Sequence, residues 1–230
     1  MTDIYIKSNL PTDFPKFQIL GVVLENFHTP SSDTFIDEEI KRVYEVVSSK
    51  YDPQTLKDDP IVQAYRQFYW THVGVDPTKV RPAGEALMRR LIRKKSLPRI
   101  HPIVDAYNLA SAETAIPMCA YDFSAIVGQL ELRLAKRDEK FLGIGMKEPQ
   151  ILSSGILVIA DEQSPVSVYP YRDSDRSKVM ESTNKVILTA DGVPNVPLNA
   201  LKRTLDLARN HIGEYCGGAV VGKVIFEREM

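Results

Sequence analysis

The sequence has little cysteine, no long apolar run and almost no net charge. Its two cysteines, Cys119 and Cys216, lie far apart and form no Cys-x-x-Cys pair, so they predict neither a disulfide framework nor a zinc site. The first residues lack the basic start and the apolar stretch of a signal peptide. Apolar runs such as residues 156–160 are far shorter than the ~20 residues that span a bilayer. These absences predict a protein of a reducing, cytoplasmic compartment with no membrane partner.

Charge and composition exclude several other classes. The 29 basic and 30 acidic side chains give a net charge of -1, which excludes a protein that holds nucleic acid by bulk charge alone, and equally an acidic mimic. Apolar residues make up 43% and charged residues 26%, as in globular proteins that fold without a metal or a disulfide. At ~100–200 residues per domain, 230 residues allow one large domain or two small ones.

The first half of the chain is mainly helical in pattern. Helical spacing of apolar residues predicts helices at 37–47, 83–95 and 102–115. A further helix begins at Asp59, which can cap it, and stops before Gly74, which suits the position just past its end. An earlier apolar run at 17–24 has the length of a strand.

The second half shows short strand patterns separated by glycine, proline, aspartate and serine. These strands are predicted at 129–134, 155–160, 166–169 and 185–190. A helix then opens at 195–197 and closes near Gly213 or Gly217, and a last strand covers 219–226. Because strands and helices do not alternate, the order predicts an α+β fold with a largely antiparallel or mixed sheet, not a doubly wound parallel one.

The strongest local bias is a basic segment between Lys79 and Arg99, which holds eight basic residues and one acid, Glu85. On the predicted helix the apolar residues form one face, and the opposite face carries Arg89, Arg90, Arg93 and Lys94. Such a one-sided strip suits contacts with phosphates. The alternative is a solvated helix face on which Glu85 pairs with Arg81 or Arg89 for structural reasons.

A second segment, residues 102–122, is largely apolar but is interrupted by Asp105, Asn108 and Glu113. Buried polar side chains need hydrogen-bond partners, so these residues predict a polar network or a ligand cavity. Asn108 can both donate and accept, which suits an amine, carbonyl or hydroxyl group of a ligand. Helix caps and turn contacts are the alternative.

Cys119 lies in the same segment, but no histidine or lysine stands beside it to favour its thiolate. We therefore expect a small buried side chain there, with a nucleophile as the weaker alternative. The four histidines are scattered without ligand spacing, so no metal site is expected. The chain has no Gly-x-Gly-x-x-Gly, P-loop or Gly-x-Ser-x-Gly motif, and no cofactor is expected.

Three blocks, at residues 81–90, 97–108 and 117–122, resemble the B3/4 domain of the bacterial phenylalanyl-tRNA synthetase beta subunit, a domain that also occurs in free-standing proteins. The second block ends in Val-Asp-Ala-Tyr-Asn and the third reads Pro-Met-Cys-Ala-Tyr-Asp, against Val-Asp-x-x-Asn and Pro-x-His-Ala-Phe-Asp in the family. Residues 157–161 and 183–188 resemble two later strands of that domain. The match covers roughly residues 65–190.

The resemblance implies a three-layer α+β domain built around a β-sandwich of unusual topology. Residues 1–230 would form one such domain, with an N-terminal strand and helix layer at 1–60 and a C-terminal helix and strand at 195–230. In the synthetase this domain hydrolyses tyrosine wrongly attached to the tRNA for phenylalanine, which needs a pocket for the amino acid and a placed water. The synthetase's catalytic body has no counterpart here, so a complete tRNA ligase is not expected.

The resemblance also implies roles for individual residues. Asn108 falls on the family's pocket asparagine, and the substrate pocket would further involve Cys119, Thr189 and Tyr169. The motif residues implied to be structural are Arg81, Glu85, Asp105, Glu113 and Asp122. No catalytic residue is assigned, and Cys119 is a weak candidate.

Three departures from the family concern that pocket. The family's histidine is replaced by Cys119, its acid at the end of the last core strand falls at Thr189, and its glycine-rich turn falls at 169–172. The pocket is therefore expected to lack the histidine and the acid that orient substrate and water. Tyrosine-specific editing is not implied.

We expect an aminoacyl-tRNA binding and editing-like protein, such as a trans-acting hydrolase of mischarged aminoacyl-tRNA with altered specificity. The tRNA phosphates would be contacted by Arg89, Arg90, Arg93, Lys94 and Lys95. The alternative is a non-catalytic module that binds an amino acid or another small molecule. DNA is not an expected partner, and the sequence leaves the amino acid and the oligomeric state open.

Overall fold

The computed structural model describes residues 2–228. The strands are β1 Ile4–Asn9, β2 Ile19–Phe27, β3 Met118–Asp122, β4 Leu130–Leu134, β5 Lys140–Phe141, β6 Gln150–Ile151, β7 Leu157–Ala160, β8 Pro165–Val168, β9 Arg172–Asp173, β10 Lys185–Asp191 and β11 Gly217–Arg228. The helices are α1 Thr34–Ser48, α2 Pro60–Phe68, α3 Ala83–Lys94, α4 Pro102–Thr114 and α5 Leu198–Cys216. These elements confirm the predicted α+β class.

Nine strands form one mixed sheet in the order β3-β10-β2-β11-β1-β4-β7-β8-β9, and β5 pairs with β6 separately. β1 lies parallel to both of its neighbours, while the other strand pairs are antiparallel. The sheet curls until its two ends approach each other. Across the gap the Tyr121 hydroxyl on β3 donates a hydrogen bond to Ser167 Oγ on β8 over 3.1 Å. The sheet is therefore nearly closed.

The helices pack on this sheet in layers. α4 is buried along almost its whole length because apolar residues surround its entire circumference. It contacts β3, while α5 beside it contacts β2, β10 and β11. α1 and α3 in turn contact α4. The sheet, the α4–α5 pair and the outer helices give the three layers.

Local chemistry explains where the helices begin and end. The Asp59 carboxylate accepts hydrogen bonds from the backbone N–H groups of Ile61 (2.9 Å) and Val62 (3.2 Å), so the predicted cap of α2 is confirmed. Gly74, at a φ of 70°, ends the π-helical turn that follows α2. Gly84 lets α3 touch α4, since a Cβ there would overlap the Ala115 carbonyl.

One difference from the sequence prediction concerns the start of the chain. The sequence pattern does not indicate β1, although it joins β11 to β4 in the sheet. Of the two predicted ends of α5, Gly217 is the one observed, because Gly213 fits inside the helix and Gly217 takes the positive φ that ends it. Within residues 2–228 no helix is long and apolar enough to cross a lipid bilayer.

Candidate functional site

Four polar side chains from three strands meet inside the curled sheet. Cys119 on β3 and Thr189 on β10 are direct partners in the strand register, and Asp191 lies two residues beyond Thr189 on the same face. Asp173 reaches them from β9, at the opposite end of the sheet. The Cys119 thiol donates a hydrogen bond to Asp191 Oδ2 over 3.1 Å and also interacts with the Asp173 carboxyl. We call these four residues the acid–thiol cluster.

The cluster is closed to solvent. Thr189 and Asp191 are 0% exposed and Cys119 is 7% exposed. Asp173 is half-buried as a residue, but its Oδ1 atom is inaccessible. Asp173 is therefore the member of the cluster closest to the surface.

Burial determines the protonation of these groups. It raises the pKa of Asp173 to about 7, helped by the charge of Asp191 and opposed by the Cys119 hydrogen bond. It raises the pKa of Asp191 to about 6, again against the hydrogen bond from Cys119. Burial, then the two carboxylates, raises the pKa of the Cys119 thiol well above its ordinary value. Cys119 is thus a protonated donor, which disfavours it as a nucleophile.

Three oxygens of the cluster have no aligned hydrogen-bond donor. They are Thr189 Oγ1, Asp191 Oδ1 and Asp173 Oδ1. The Thr189 hydroxyl lies close enough to Asp191 to lower the pKa of that carboxyl, yet it is not aligned for a hydrogen bond. Buried acceptors are normally satisfied, so these three oxygens are suited to accept from a water or from a ligand that carries N–H or O–H donors.

Tyrosines form the wall around the cluster. The Tyr65 hydroxyl donates to the Asp191 carbonyl oxygen over 2.7 Å, and the Tyr169 hydroxyl donates to the Gly192 carbonyl oxygen. Burial raises the pKa of Tyr107 on α4, and the nearby carboxylate of Asp173 raises it further. These contacts hold the segment after β10 in place beside the acids.

Tyr169 fills space where the sequence resemblance implied a glycine-rich turn. Its side chain is 0% exposed. The ring stacks on Phe17 at a centroid distance of 5.6 Å and meets Phe68 edge-on at 6.4 Å. Tyr169 is therefore a packed core residue that holds the Gly192 backbone just after β10.

Asn108 is buried on α4, one residue after Tyr107. Within residues 2–228 its side chain forms no hydrogen bond. The structure does not bring it into hydrogen-bonding contact with the acid–thiol cluster.

The motif acids hold elements together. Glu85, 0% exposed, accepts two hydrogen bonds of 2.8 Å from Arg66 and one of 2.6 Å from Arg89 Nε. Arg81 stands 3.9 Å from the same carboxylate. Glu113 accepts from Arg42 of α1 and Arg203 of α5, and so joins three helices.

Asp105 and Asp122 fix turns. Asp105 Oδ1 accepts from the backbone N–H of Ile100 at 2.8 Å, just before α4. Asp122 accepts from the backbone N–H of Ser124 at 2.8 Å and from the Thr183 hydroxyl. Both acids therefore shape the chain around the elements that carry the cluster.

The predicted basic face is wrong for Arg89. This residue is 9% exposed because its guanidinium binds Glu85 and the Pro53 carbonyl. Arg90, Arg93 and Lys94 are exposed, and none of them forms an ion pair within the described part of the chain. The exposed Lys95 ammonium lies 4.9 Å from the centre of the Tyr44 ring.

These exposed cations lie away from the acid–thiol cluster. Gly84, at the start of α3, packs on Ala115 at the end of α4, and a short loop returns from α3 to the start of α4. The two helices are therefore antiparallel, and the cations sit beside the start of α4, about 20 Å from its end by helix rise. Cys119 follows that other end by a few residues.

Sequence reasoning missed both acids of the cluster. The resemblance places Thr189 at the position of the family's acid, and the structure shows a different acid, Asp191, two residues further along the same strand face. The alternation Thr189, Ala190, Asp191 is a signal that could have found it. No comparable signal identifies Asp173, since only the curl of the sheet brings β9 to β3.

Comparison with known proteins connects this chain to one family. The family model of the B3/4 domain matches residues 64–217. The phenylalanine–tRNA ligase beta subunit of Photorhabdus laumondii is 33% identical over 109 residues, which are 47% of this chain and 14% of the subunit. That of Idiomarina loihiensis is 28% identical over 171 residues, which are 73% of this chain and 21% of the subunit.

A solved structure shows the same fold. It is an N-terminal fragment of the phenylalanyl-tRNA synthetase beta subunit from Pyrococcus horikoshii, with a TM-score of 0.53 and 12% sequence identity. The match covers 100% of this chain and 53% of that fragment. The chain thus spans about a fifth or less of the curated ligase subunits that it matches.

Proposed function

Because this chain belongs to the B3/4 domain family, we propose that it recognises the aminoacyl group of an aminoacyl-tRNA in trans and hydrolyses its ester. The observation that carries the proposal is the acid–thiol cluster with its three buried oxygens that lack donors. It lies on the strands that hold the motif positions of the family, Cys119 and Thr189. The chain spans only a small part of the ligase subunits that it matches.

The cluster has the chemistry to hold an amino acid by its amine. The α-ammonium group of an aminoacyl ester offers three N–H donors and a positive charge. Asp191 Oδ1 and Asp173 Oδ1 would accept two of those donors, and charge-assisted hydrogen bonds of this kind are the strong ones in a closed pocket. Thr189 Oγ1 would accept a third donor or a water.

The same carboxyls suit the hydrolytic step. Asp191, with a pKa of about 6, is ionised near neutral pH and can accept a proton from water in its pocket. The water oxygen then bonds to the ester carbonyl carbon, and the bond between that carbon and the ribose oxygen breaks. The ribose oxygen takes up the proton, and the free amino acid leaves with the water oxygen.

Contacts with tRNA phosphates would come from Arg90, Arg93, Lys94 and Lys95. Arg89 is not among them, because Glu85 already binds its charge. The phosphates and the aminoacyl group would therefore be held at opposite ends of α4. Such contacts make the affinity for tRNA fall with salt.

A deacylation panel tests the proposal. The purified chain is incubated with tRNAs carrying each standard amino acid and with several mischarged pairs, beside the Asn108→Ala, Cys119→Ala and Asp191→Asn variants. Release of one amino acid, lost in Asp191→Asn, is the expected result. No release from any charged tRNA by the folded chain would overturn the hydrolytic function.

A non-catalytic amino-acid binding module is the second candidate. The observation that favours it is the burial of the acid–thiol cluster, where Tyr169 is fully buried and the Cys119 thiol is protonated. The two functions differ in their response to salt and charge. The hydrolase predicts a tRNA affinity that depends on salt and falls when Arg90, Arg93 and Lys94 are changed to Glu. The binding module predicts binding of a free amino acid that does not depend on salt.

A further inference from the structure

A cavity lies outside the acid–thiol cluster, against β8 and β9. It has a volume of about 430 Å³, within the ~300–1,000 Å³ of typical small-molecule sites. Its apolar lining includes Val73, Phe141, Met146, Ile156 and Val168. Val168 and the cluster-side residue Ser167 are neighbours on β8, so their side chains point to opposite faces of that strand.

One charged group lines this cavity, the half-buried Arg172. Its guanidinium makes two long contacts, 3.5 Å to the Ile144 carbonyl oxygen and 3.4 Å to the Tyr171 hydroxyl. Within residues 2–228 no carboxylate lies within ion-pair distance of it. The neighbouring Asp173 cannot serve, because its carboxyl faces Cys119 inside the sheet.

Arg172 differs in this respect from the other arginines of residues 2–227 that are not exposed. Each of those has a carboxylate partner, as seen in the pairs Arg66–Glu85, Arg89–Glu85, Arg133–Glu139 and Arg176–Asp161. A guanidinium removed from water without a counter-charge is costly unless a ligand supplies that charge. Arg172 is also held against the Tyr171 ring, 5.2 Å from its centre, which orients its donors.

We propose that this cavity binds a small monocarboxylic acid with an aromatic or branched aliphatic body. The planar guanidinium of Arg172 offers paired N–H donors that match a carboxylate. The apolar lining would receive the body of the acid, and the exposed side chains of Gln150 and Ser153 border the opening. A single arginine among apolar residues fits a carboxylate better than the higher charge of a phosphate.

Titration of the 230-residue chain with sodium phenylacetate tests this site, with the neutral phenylacetamide and inorganic phosphate as comparison probes. Phenylacetate is expected to bind at least about tenfold more tightly than phenylacetamide, the ratio that one charge-assisted hydrogen bond supplies. Arg172→Gln should remove that preference, while Arg137→Gln, at an exposed arginine outside the cavity, should keep it.

Three results would overturn the proposal. The first is equal affinity of the unmodified chain for phenylacetate and phenylacetamide, and the second is no detectable binding of phenylacetate. Either one would exclude the proposed role of Arg172, and neither needs a variant. Tighter binding of inorganic phosphate than of phenylacetate would make the site a phosphate site. The outcome does not depend on deacylase activity, because the cavity and the acid–thiol cluster lie on opposite faces of β8.

Discussion

The Cys119 thiol donates a hydrogen bond to Asp191 Oδ2 over 3.1 Å, between two strands that are neighbours in the sheet. The pair replaces the histidine that the B3/4 resemblance implies at position 119 with a neutral donor beside a buried acid. A thiol held in this way positions the carboxylate, and the carboxylate keeps the thiol protonated. Chemistry at this site is therefore expected to depend on the acid more than on the sulfur.

The first prediction concerns the relative importance of these two residues. Asp191→Asn should lower deacylation by about 100-fold or more, since it removes the proposed base. Cys119→Ala should lower it by less, because a protonated thiol is no nucleophile. Single-turnover release of amino acid measures both, with Asp206→Asn on the exposed side of α5 as a control. A dead Cys119→Ala beside an active Asp191→Asn would reverse the assignment.

Stability should depend on pH through the acid–thiol cluster. The pKa values of Asp173 and Asp191 are raised to about 7 and about 6, so above pH ~4 the folded chain binds protons that the unfolded chain has released. Their contribution is therefore least favourable above pH ~7 and improves as the pH falls towards ~4.

Thermal unfolding across that pH range measures this effect. Other acids, such as Glu85, have lowered pKa values and act in the opposite direction at lower pH. The informative quantity is thus the difference in Tm between the unmodified chain and the Asp173→Asn/Asp191→Asn variant. That difference should favour the variant most at alkaline pH. A difference independent of pH would contradict the raised pKa values.

Glu85 should be a major determinant of stability. Changing it to Gln leaves the buried guanidinium of Arg89 and the half-buried one of Arg66 without their counter-charge, which typically costs ~3–5 kcal/mol. Glu38→Gln, on the exposed face of α1, is the matched control and should change the free energy of unfolding by less than about 0.5 kcal/mol. Urea unfolding measures both, and equal values would mean that the cluster around Glu85 contributes little.

Two glycine substitutions should act in opposite directions. Gly84→Ala should destabilise the chain by about 1–3 kcal/mol, because its Cβ would overlap the Ala115 backbone at the α3–α4 contact. Gly213→Ala should stabilise it by about 0.5–1 kcal/mol, because it lies inside α5 with open space around it. Denaturant midpoints of the two variants check the pair. Stabilisation by both would show that α3 can move away from α4 at little cost.

Much of the fold follows from local sequence signals. Asp59 with Pro60 marks the start of α2, Gly217 is one of the two glycines that mark the end of α5, and the largely apolar sequence of α4 indicates its buried position. β1 escapes such reasoning because its six residues alternate too briefly, and its pairing with β11 joins opposite ends of the chain. Parallel pairing over that separation leaves no local trace.

The site was only partly predictable for the same reason. Cys119 and Thr189 come from recognisable blocks, but whether they touch depends on the register between β3 and β10. Asp173 joins them only because the sheet curls. Arg89 shows a different error, in which a residue predicted to be exposed is buried. Its position on the helix predicts a solvent-facing cation, but its ion pair with Glu85 draws it inward.

The most direct test of the central claim is whether the chain distinguishes a charged tRNA from an uncharged one. Its affinity is measured for a tRNA that carries a non-hydrolysable amide-linked amino acid and for the same tRNA without it, in the unmodified chain and in Asp191→Asn. Recognition of the aminoacyl group predicts tighter binding of the charged form, and loss of that difference in the variant. Equal affinities for the two forms with every amino acid tested would contradict it.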